Sequence, residues 1–293
     1  MRTLANKLNI EVDFQSVTAL THLGRTIDPR IPSNRFVLVA AGLGMIATGL
    51  YRLTVGLPVS QAVVGAVGAG IFTMLAWAIG RELDPDHNLS ASIAAVLMIA
   101  TMLTGGMPNL LLTGVVVALL RVIIRSTGLS PRITDALALI ALMAVSIALD
   151  GYWVIGLVVS LTFLLDALLP ESDRSTSLIF AAVALVITVA LALALHLPQW
   201  LLRLEPTLAG GVIMVGLAYI TVVLRDSSHL ESVADSTGRP LLRSRVLAGQ
   251  LIALTAALIV LMWDHLFGLI ALSPVWVAML GVVLRRLVQW IRA

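Results

Sequence analysis

The sequence predicts an all-α polytopic integral membrane protein with about ten transmembrane helices. The first observation is the composition, because 59% of the residues are hydrophobic and only 12% are charged, against roughly 25% charged in soluble domains. The mean hydropathy is +1.02, and the charged side chains that would cover so much apolar surface in water are missing. The bilayer is therefore the solvent, in which a helix satisfies its own backbone polar groups.

The second observation is a series of ten apolar segments separated by turn residues. They cover 36–53, 59–80, 89–105, 109–124, 134–149, 151–168, 176–197, 206–224, 245–263 and 267–288. A spanning helix needs about 20 apolar residues, so several of these segments are at the short end of the range. Gly56 with Pro58, Asp150 with Gly151 and Asp264 with His265 are typical of the turns between them.

The third observation is the distribution of the nineteen basic residues. With ten spans, Arg52 and Arg203 fall on one side of the membrane and the others fall on the side of the N-terminus. Basic residues mark the cytoplasmic side, so we expect both termini in the cytoplasm and a location in the cytoplasmic (inner) membrane. This rule also explains the basic balance, and we expect no nucleic-acid partner. The chain has no Cys, which excludes disulfides and Cys-ligated zinc.

Two regions divide the chain. Residues 1–35 are polar to amphipathic and predict a cytoplasmic segment that lies in the membrane interface. Residues 36–293 form a single transmembrane helical domain, in which the stretch from Pro85 to Ser92 resembles that from Pro170 to Ser177. Four spans restore the chain direction, so a parallel 4+4+2 arrangement is predicted, with candidate repeats 36–125, 134–225 and 245–293. The alternative is chance similarity between apolar helices.

The stretch after the second span is the most polar and predicts a ligand or partner site at the cytoplasmic face. Its five ionisable residues are Arg81, Glu82, Asp84, Asp86 and His87. The two aspartates could hold Mg²⁺ and, through it, a diphosphate. Alternatively, Asp86 or Asn88 caps the third span and the other charges are solvated in a turn. In the weaker echo after the sixth span, Asp166 lies one turn before Pro170 and could pair with a basic neighbour.

Two further groups complete the candidate site. Arg121 and Arg125 are spaced i,i+4 at the end of the fourth span, so they share a helix face and could clamp a phosphate or a carboxylate. The alternative is that both arginines snorkel to the interface. The loop over 225–245 contains Asp226, Asp235 and Arg239, and it is either a binding loop or a solvated linker.

Missing motifs narrow the function. No Walker-type glycine loop, H-E-x-x-H or G-x-S-x-G motif occurs, and no ionisable residue falls near the middle of a span, where ion-coupled pumps carry them. We expect a carrier or permease for a small or lipid-like molecule in the lipid bilayer, with neither a metal nor a cofactor. The alternatives are a scaffold or accessory subunit of a membrane protein partner, and a membrane-embedded enzyme acting on a phosphate-bearing lipid. Whether the protein is an enzyme stays open.

Overall fold

The computed structural model describes residues 21–25, 27–197, 206–225 and 230–292. This part of the chain is helical and contains no β-strand. Most of the predicted interfacial segment, together with Arg203 and Asp226, lies outside the described residues. The helices are α1 Pro32–Thr54, α2 Val59–Leu83, α3 Asn88–Thr104, α4 Leu110–Ile124, α5 Ile133–Asp150, α6 Val154–Leu168, α7 Arg174–Ala194, α8 Pro206–Arg225, α9 Arg243–Ala271 and α10 Ser273–Arg292. The prediction of an all-helical fold is confirmed.

Local sequence signals explain several of the helix ends. Pro32 opens α1, where its missing N–H and fixed φ suit the first turn. Asn109 and Asp173 cap α4 and α7 by accepting backbone N–H bonds from the first turn of each helix. Gly151 ends α5 in the left-handed conformation that glycine adopts without a steric penalty. These signals therefore place the helix ends close to the predicted turns.

The boundary between the last two helices differs from the predicted one. The chain is interrupted at the predicted turn, since Asp264 and His265 are non-helical, but α9 then continues to Ala271. This short continuation lies against the part of α9 that precedes the interruption, because Gly268 contacts the backbone at Val260. The final helix consequently begins at Ser273 instead of 267 and continues to Arg292. Arg285 therefore lies about two turns inside the end of this helix.

Six of the described helices are long and apolar enough to cross a membrane, namely α1, α2, α5, α7, α9 and α10. The apolar windows of α1 and α7 are only 28% and 22% buried, whereas that of α9 is 61% buried. Helices α1 and α7 therefore lie on the outside of the protein, and α9 lies inside it. The shorter α4 spans about 22 Å, but its side chains are mostly buried among α2, α5, α6 and α9. Protein, not lipid, surrounds it.

The helices pack in two bundles. The first bundle contains α1, α2, α3 and α10, and the second contains α4, α5, α6, α7 and α9. Contacts between the bundles involve α2, α4, α9 and α10, while α8 packs on α10 and α9. Ion pairs join the end of α2 to α4 and α10, and the end of α6 to the start of α9 and to Arg125, which follows α4. We refer to this end of the molecule as the charged end.

Candidate functional site

Three buried carboxylates that form ion pairs organise the charged end. Glu82 and Asp84 lie at the end of α2, and Asp166 lies near the end of α6. They are 1%, 7% and 1% exposed, so each carboxylate needs a cation or hydrogen-bond donors to offset its desolvation. The partners come from other helices and from the connecting segments, and every ion pair of the described residues lies at this end.

Glu82 joins the two bundles. Its Oε1 lies 3.1 Å from Arg25 Nη1 and 3.5 Å from Arg121 Nε at the end of α4. The same oxygen accepts a 3.0 Å hydrogen bond from Ser126 Oγ, which follows α4. Arg121 also donates a 2.9 Å hydrogen bond to the Leu23 carbonyl. A single carboxylate of the first bundle thus holds the end of α4 and the segment before α1.

Asp84 joins three helices of the first bundle. Its Oδ2 lies 3.1 Å from Arg285 Nη2 of α10 and accepts a hydrogen bond from Ser90 Oγ in the first turn of α3. Its Oδ1 lies 2.9 Å from His87 Nδ1. Arg285 is 1% exposed and also donates a 2.7 Å hydrogen bond to Gln289 Oε1. This centre fixes the ends of α2 and α10 against the start of α3.

Asp166 makes the corresponding centre in the second bundle. Its Oδ1 lies 2.7 Å from Arg245 Nη1 of α9 and 3.1 Å from Arg125 Nη2. Its Oδ2 accepts a 2.8 Å hydrogen bond from Ser177 Oγ in the first turn of α7. Arg245 donates further hydrogen bonds to the carbonyl of Pro170, at 3.1 and 2.6 Å. The pairing of Asp166 with a basic neighbour is therefore seen, with two partners.

Residues 21–25, which we name the strap, cross the charged end. Thr21 Oγ1 donates a 2.6 Å hydrogen bond to Asp135 Oδ1, and the His22 N–H donates a 3.1 Å bond to Oδ2 of the same carboxylate. Arg132 Nε donates to His22 Nε2 at 2.9 Å. At the other end of the strap, Arg25 binds Glu82. The strap therefore ties the start of α5 to the end of α2.

The loop over 230–242 covers the same surface. The N–H groups of Asp235 and Ser236 donate hydrogen bonds of 3.0 and 3.1 Å to the carbonyls of Ser126 and Thr127. Asp235 Oδ2 lies 2.5 Å from Arg25 Nε, so the loop also contacts the strap. Burial lowers the pKa of Arg25, but the carboxylates of Glu82 and Asp235 raise it above its ordinary value. Arg25 therefore stays charged between the two acids.

The structure places most of the predicted site residues together, but in different roles from those expected. Asp86 does not cap α3, whose N-cap is His87. Instead its carboxylate accepts N–H bonds from Glu231 and Ser232 of the 230–242 loop, at 3.3 and 2.8 Å. Asp86 therefore joins the α2–α3 turn to that loop.

The two arginines of α4 do not form a shared clamp. The helix ends at Ile124, and Arg125 adopts a left-handed conformation with φ of 56°, so the i,i+4 geometry no longer holds. Arg121 contacts Glu82, whereas Arg125 contacts Asp166. Arg81 forms none of these ion pairs; its guanidinium lies 6.0 Å from the Trp77 ring centroid and donates a hydrogen bond to Asn88.

The remaining predicted residues contribute less to the site. Arg239 is exposed, and its hydrogen bonds are made by its backbone, from its N–H to Thr237 and to its carbonyl from Ala234. Asp226 lies outside the described residues. The partners that sequence reasoning did not select are Arg25, Ser90, Ser126, Ser177, Arg245 and Arg285. The repeated Ser residues after the two Pro-containing turns were the only sequence signal for Ser90 and Ser177.

Buried polar atoms without hydrogen bonds lie next to the Asp84 centre. Gln250 of α9 donates a 2.7 Å hydrogen bond to the Leu83 carbonyl, but its Oε1 has no partner in the structure. The hydroxyl of Tyr219 in α8 is also without one, and Tyr219 lies within electrostatic range of Asp84. Unpaired polar atoms of α8 and α9 thus lie close to the end of α2.

At the opposite end, the described part of the chain is held by hydrogen bonds from neutral donors to carboxylates and not by ion pairs. Asn109 Nδ2 donates a 2.8 Å hydrogen bond to Asp150, and the Tyr152 hydroxyl donates a 2.5 Å bond to Asp264. Burial and the bond to Asp264 raise the pKa of Tyr152, so it stays protonated. The network of buried ion pairs is therefore a property of one end of the molecule.

The chemistry that the charged end can perform is limited by this pairing. Its acids are already bound to guanidinium groups, serine hydroxyls and backbone N–H groups. Among the described residues, no group of three or more His, Asp or Glu side chains is placed to hold a metal ion. Comparison with family models, with curated proteins and with solved structures finds no match to this chain.

Proposed function

We propose that this protein is a carrier or permease for a small or lipid-like molecule, and that the Glu82 centre is its gate at the charged end. The basic residues concentrate at that end, so it faces the cytoplasm in this proposal. The conformation described here is closed on the cytoplasmic side. A carrier alternates between conformations that open to opposite sides of the membrane, and packed bundles that move as units are a common way to do so.

The observation that carries the proposal is the location of the Glu82 centre between the two bundles. The Asp84 and Asp166 centres each bind helices of one bundle, so they can move with it. The Glu82 to Arg121 and Ser126 contacts cross from the first bundle to the second. A motion that separates the bundles at this end therefore has to break the Glu82 centre.

Energetics favour a reversible role for these buried charges. A buried ion pair contributes little stability beyond what packed apolar side chains of similar volume provide, because its desolvation offsets its attraction. The strict geometry of a buried ion pair instead suits it to an interface between helix bundles that has two discrete conformations. The unpaired Oε2 of Glu82 and Oε1 of Gln250 would gain water on opening, which lowers the free energy of the open conformation.

The parallel repeat is part of the same proposal. In each bundle an aspartate near a helix end accepts a hydrogen bond from a serine in the first turn of the next helix and binds an arginine of α9 or α10. These sets are Asp84, Ser90 and Arg285 in the first bundle, and Asp166, Ser177 and Arg245 in the second. The aspartates and the serines of the two sets are four helices apart, which supports the 4+4+2 arrangement, whereas the two arginines come from the neighbouring helices α10 and α9. This correspondence aligns Asp84 with Asp166, where the sequence echo aligned Asp86 with Glu171.

Thiol labelling tests the gate, since the chain contains no Cys. Val117 lies one turn below Arg121 on α4 and is 8% exposed, so Val117→Cys reports access from the charged end. We expect a membrane-impermeant maleimide to label this Cys slowly. In the Glu82→Gln background the rate should rise by about tenfold, because the buried arginines lose their carboxylate partner.

A control separates gating from general loosening. Ala69 is fully buried near the middle of α2, so Ala69→Cys should remain unlabelled in both backgrounds. If the Cys at position 117 never reacts below the unfolding temperature, the charged end is static and the scaffold alternative replaces the carrier. Equal labelling at both positions would also contradict the gate, since it would reflect loss of the fold.

A further inference from the structure

Arg52 stands out at the end opposite to the ion pairs. It lies in the last turn of α1, and its guanidinium packs on Gly65 of α2, at the place where a Cβ atom would otherwise be. Its hydrogen bond in the structure is a long one, 3.4 Å from Nη1 to the Gln61 carbonyl. No carboxylate of the described residues forms an ion pair with it. The side chain therefore points along α2 into the bundle wall while its charge is unneutralised.

An apolar groove lies along α2 within one turn of Gly65, the glycine against which this guanidinium packs. It has a volume of about 250 Å³ and runs along one face of α2 from Val63 to Phe72, closed on one side by Met107 and Leu110. Its length along the helix is about 13 Å. Gly68 lines the groove and lies one turn from Gly65, against which Arg52 packs. The exposed Val64 and Val67 open it to the lipid.

The combination of a cation and an apolar groove defines the ligand chemistry. A guanidinium close to the hydrocarbon is costly without an anionic partner, and its fork matches the oxygens of a phosphate. An acyl chain fits a groove with apolar walls that opens to the lipid. A free phosphate would leave the groove empty, and a neutral lipid would leave the guanidinium without a net anion.

We propose that Arg52 and this groove bind one anionic phospholipid of the bilayer, with its phosphate at Arg52 and one acyl chain along α2. The site lies away from the charged end, and it is independent of the transport proposal. It extends beyond ordinary contact with surrounding lipid, because the headgroup charge selects which phospholipid stays bound when the protein leaves the membrane.

Native mass spectrometry of the detergent-solubilised protein tests this site with phosphatidylglycerol and phosphatidylcholine of matched chains. We expect the wild-type protein to retain phosphatidylglycerol about tenfold better, since a charge-assisted contact of this kind is worth roughly one decade of affinity. Arg52→Gln should abolish the preference. Arg52→Lys should keep most of it, and Val67→Trp should weaken the retention of both lipids by filling the groove.

Arg35→Gln is the matched control, because it removes the same charge from the exposed other end of α1 and should leave the preference unchanged. Equal retention of the two lipids by the wild-type protein would overturn the proposal, whatever the variants do. An unchanged preference in Arg52→Gln, with intact tryptophan fluorescence, would also overturn it and reduce the groove to ordinary lipid contact.

Discussion

Asp166 holds two arginine side chains in the protein interior, and it is the residue where a single substitution has the clearest expected effect. Asp166→Asn keeps the shape and the hydrogen bond from Ser177 but removes the charge between Arg125 and Arg245. Breaking a buried ion pair by removing one partner costs about 3–5 kcal/mol, because the other charge stays buried. We therefore expect the free energy of unfolding in detergent to fall by about that amount.

Asp173→Asn provides the control in the same α6–α7 hairpin. Asp173 is exposed and caps α7 through the N–H of Thr176, and asparagine caps a helix about as well as aspartate. It should unfold at nearly the wild-type temperature. If Asp166→Asn and Asp173→Asn unfold alike, the buried arginines do not need the Asp166 charge, and the prediction is wrong.

At the level of single residues, sequence reasoning found the acids but not which cations pair with them. Glu82, Asp84 and Asp86 follow an apolar run so closely that their presence at a helix end was predictable. The cations that pair with Glu82 and Asp84 are Arg25, Arg121 and Arg285, all of which are distant in the chain. Pairing over such separations depends on how helices pack, which no local pattern encodes.

Helix packing at the element scale depends on glycines that face a neighbouring backbone. A Cβ atom at Gly281 of α10 would lie 2.5 Å from the Ser90 carbonyl oxygen of α3. We expect Gly281→Ala to separate these helices and to lower the free energy of unfolding by about 1–3 kcal/mol, as overpacking does. Because Ser90 donates to Asp84, the substitution should also disturb that centre.

Gly42→Ala in α1 is the matched variant, since no atom lies within 4 Å of the position of its added Cβ. Without a clash, alanine should stabilise the helix by about 0.5 kcal/mol. Opposite signs for the two variants in thermal unfolding would confirm that close approach of α3 and α10 matters. Equal effects would show that glycine acts only through helix propensity.

The helices themselves were largely predictable, because apolar length and Gly or Pro turns are local properties. The exception is the α9–α10 boundary, where the turn at Asp264 and His265 was expected but the extra helical stretch to Ala271 was not. That stretch is apolar in sequence and could continue either helix. Its contact with the backbone at Val260 explains why the stretch belongs to α9 and not to α10.

For the whole molecule, the orientation in the membrane remains a prediction from the basic residues. Thr54 and Arg239 are both exposed, and they lie at opposite ends of the bundle. A Cys at position 54 should react with a membrane-impermeant thiol reagent in intact cells, while a Cys at position 239 should react only after permeabilisation. The reverse pattern would invert the topology and place the charged end outside.

The sequence by itself determined that the bilayer is the solvent of this chain, that the fold is helical and that the charges collect at helix ends. Each of these follows from composition and from patterns within about 20 residues, because helix formation and membrane insertion respond to local apolar length. Only the tertiary structure decided that Glu82 joins the bundles while Asp84 and Asp166 each stay within one. The physical reason is that a buried charge selects its partner by distance and desolvation in the packed molecule, and both depend on helices that are far apart along the chain.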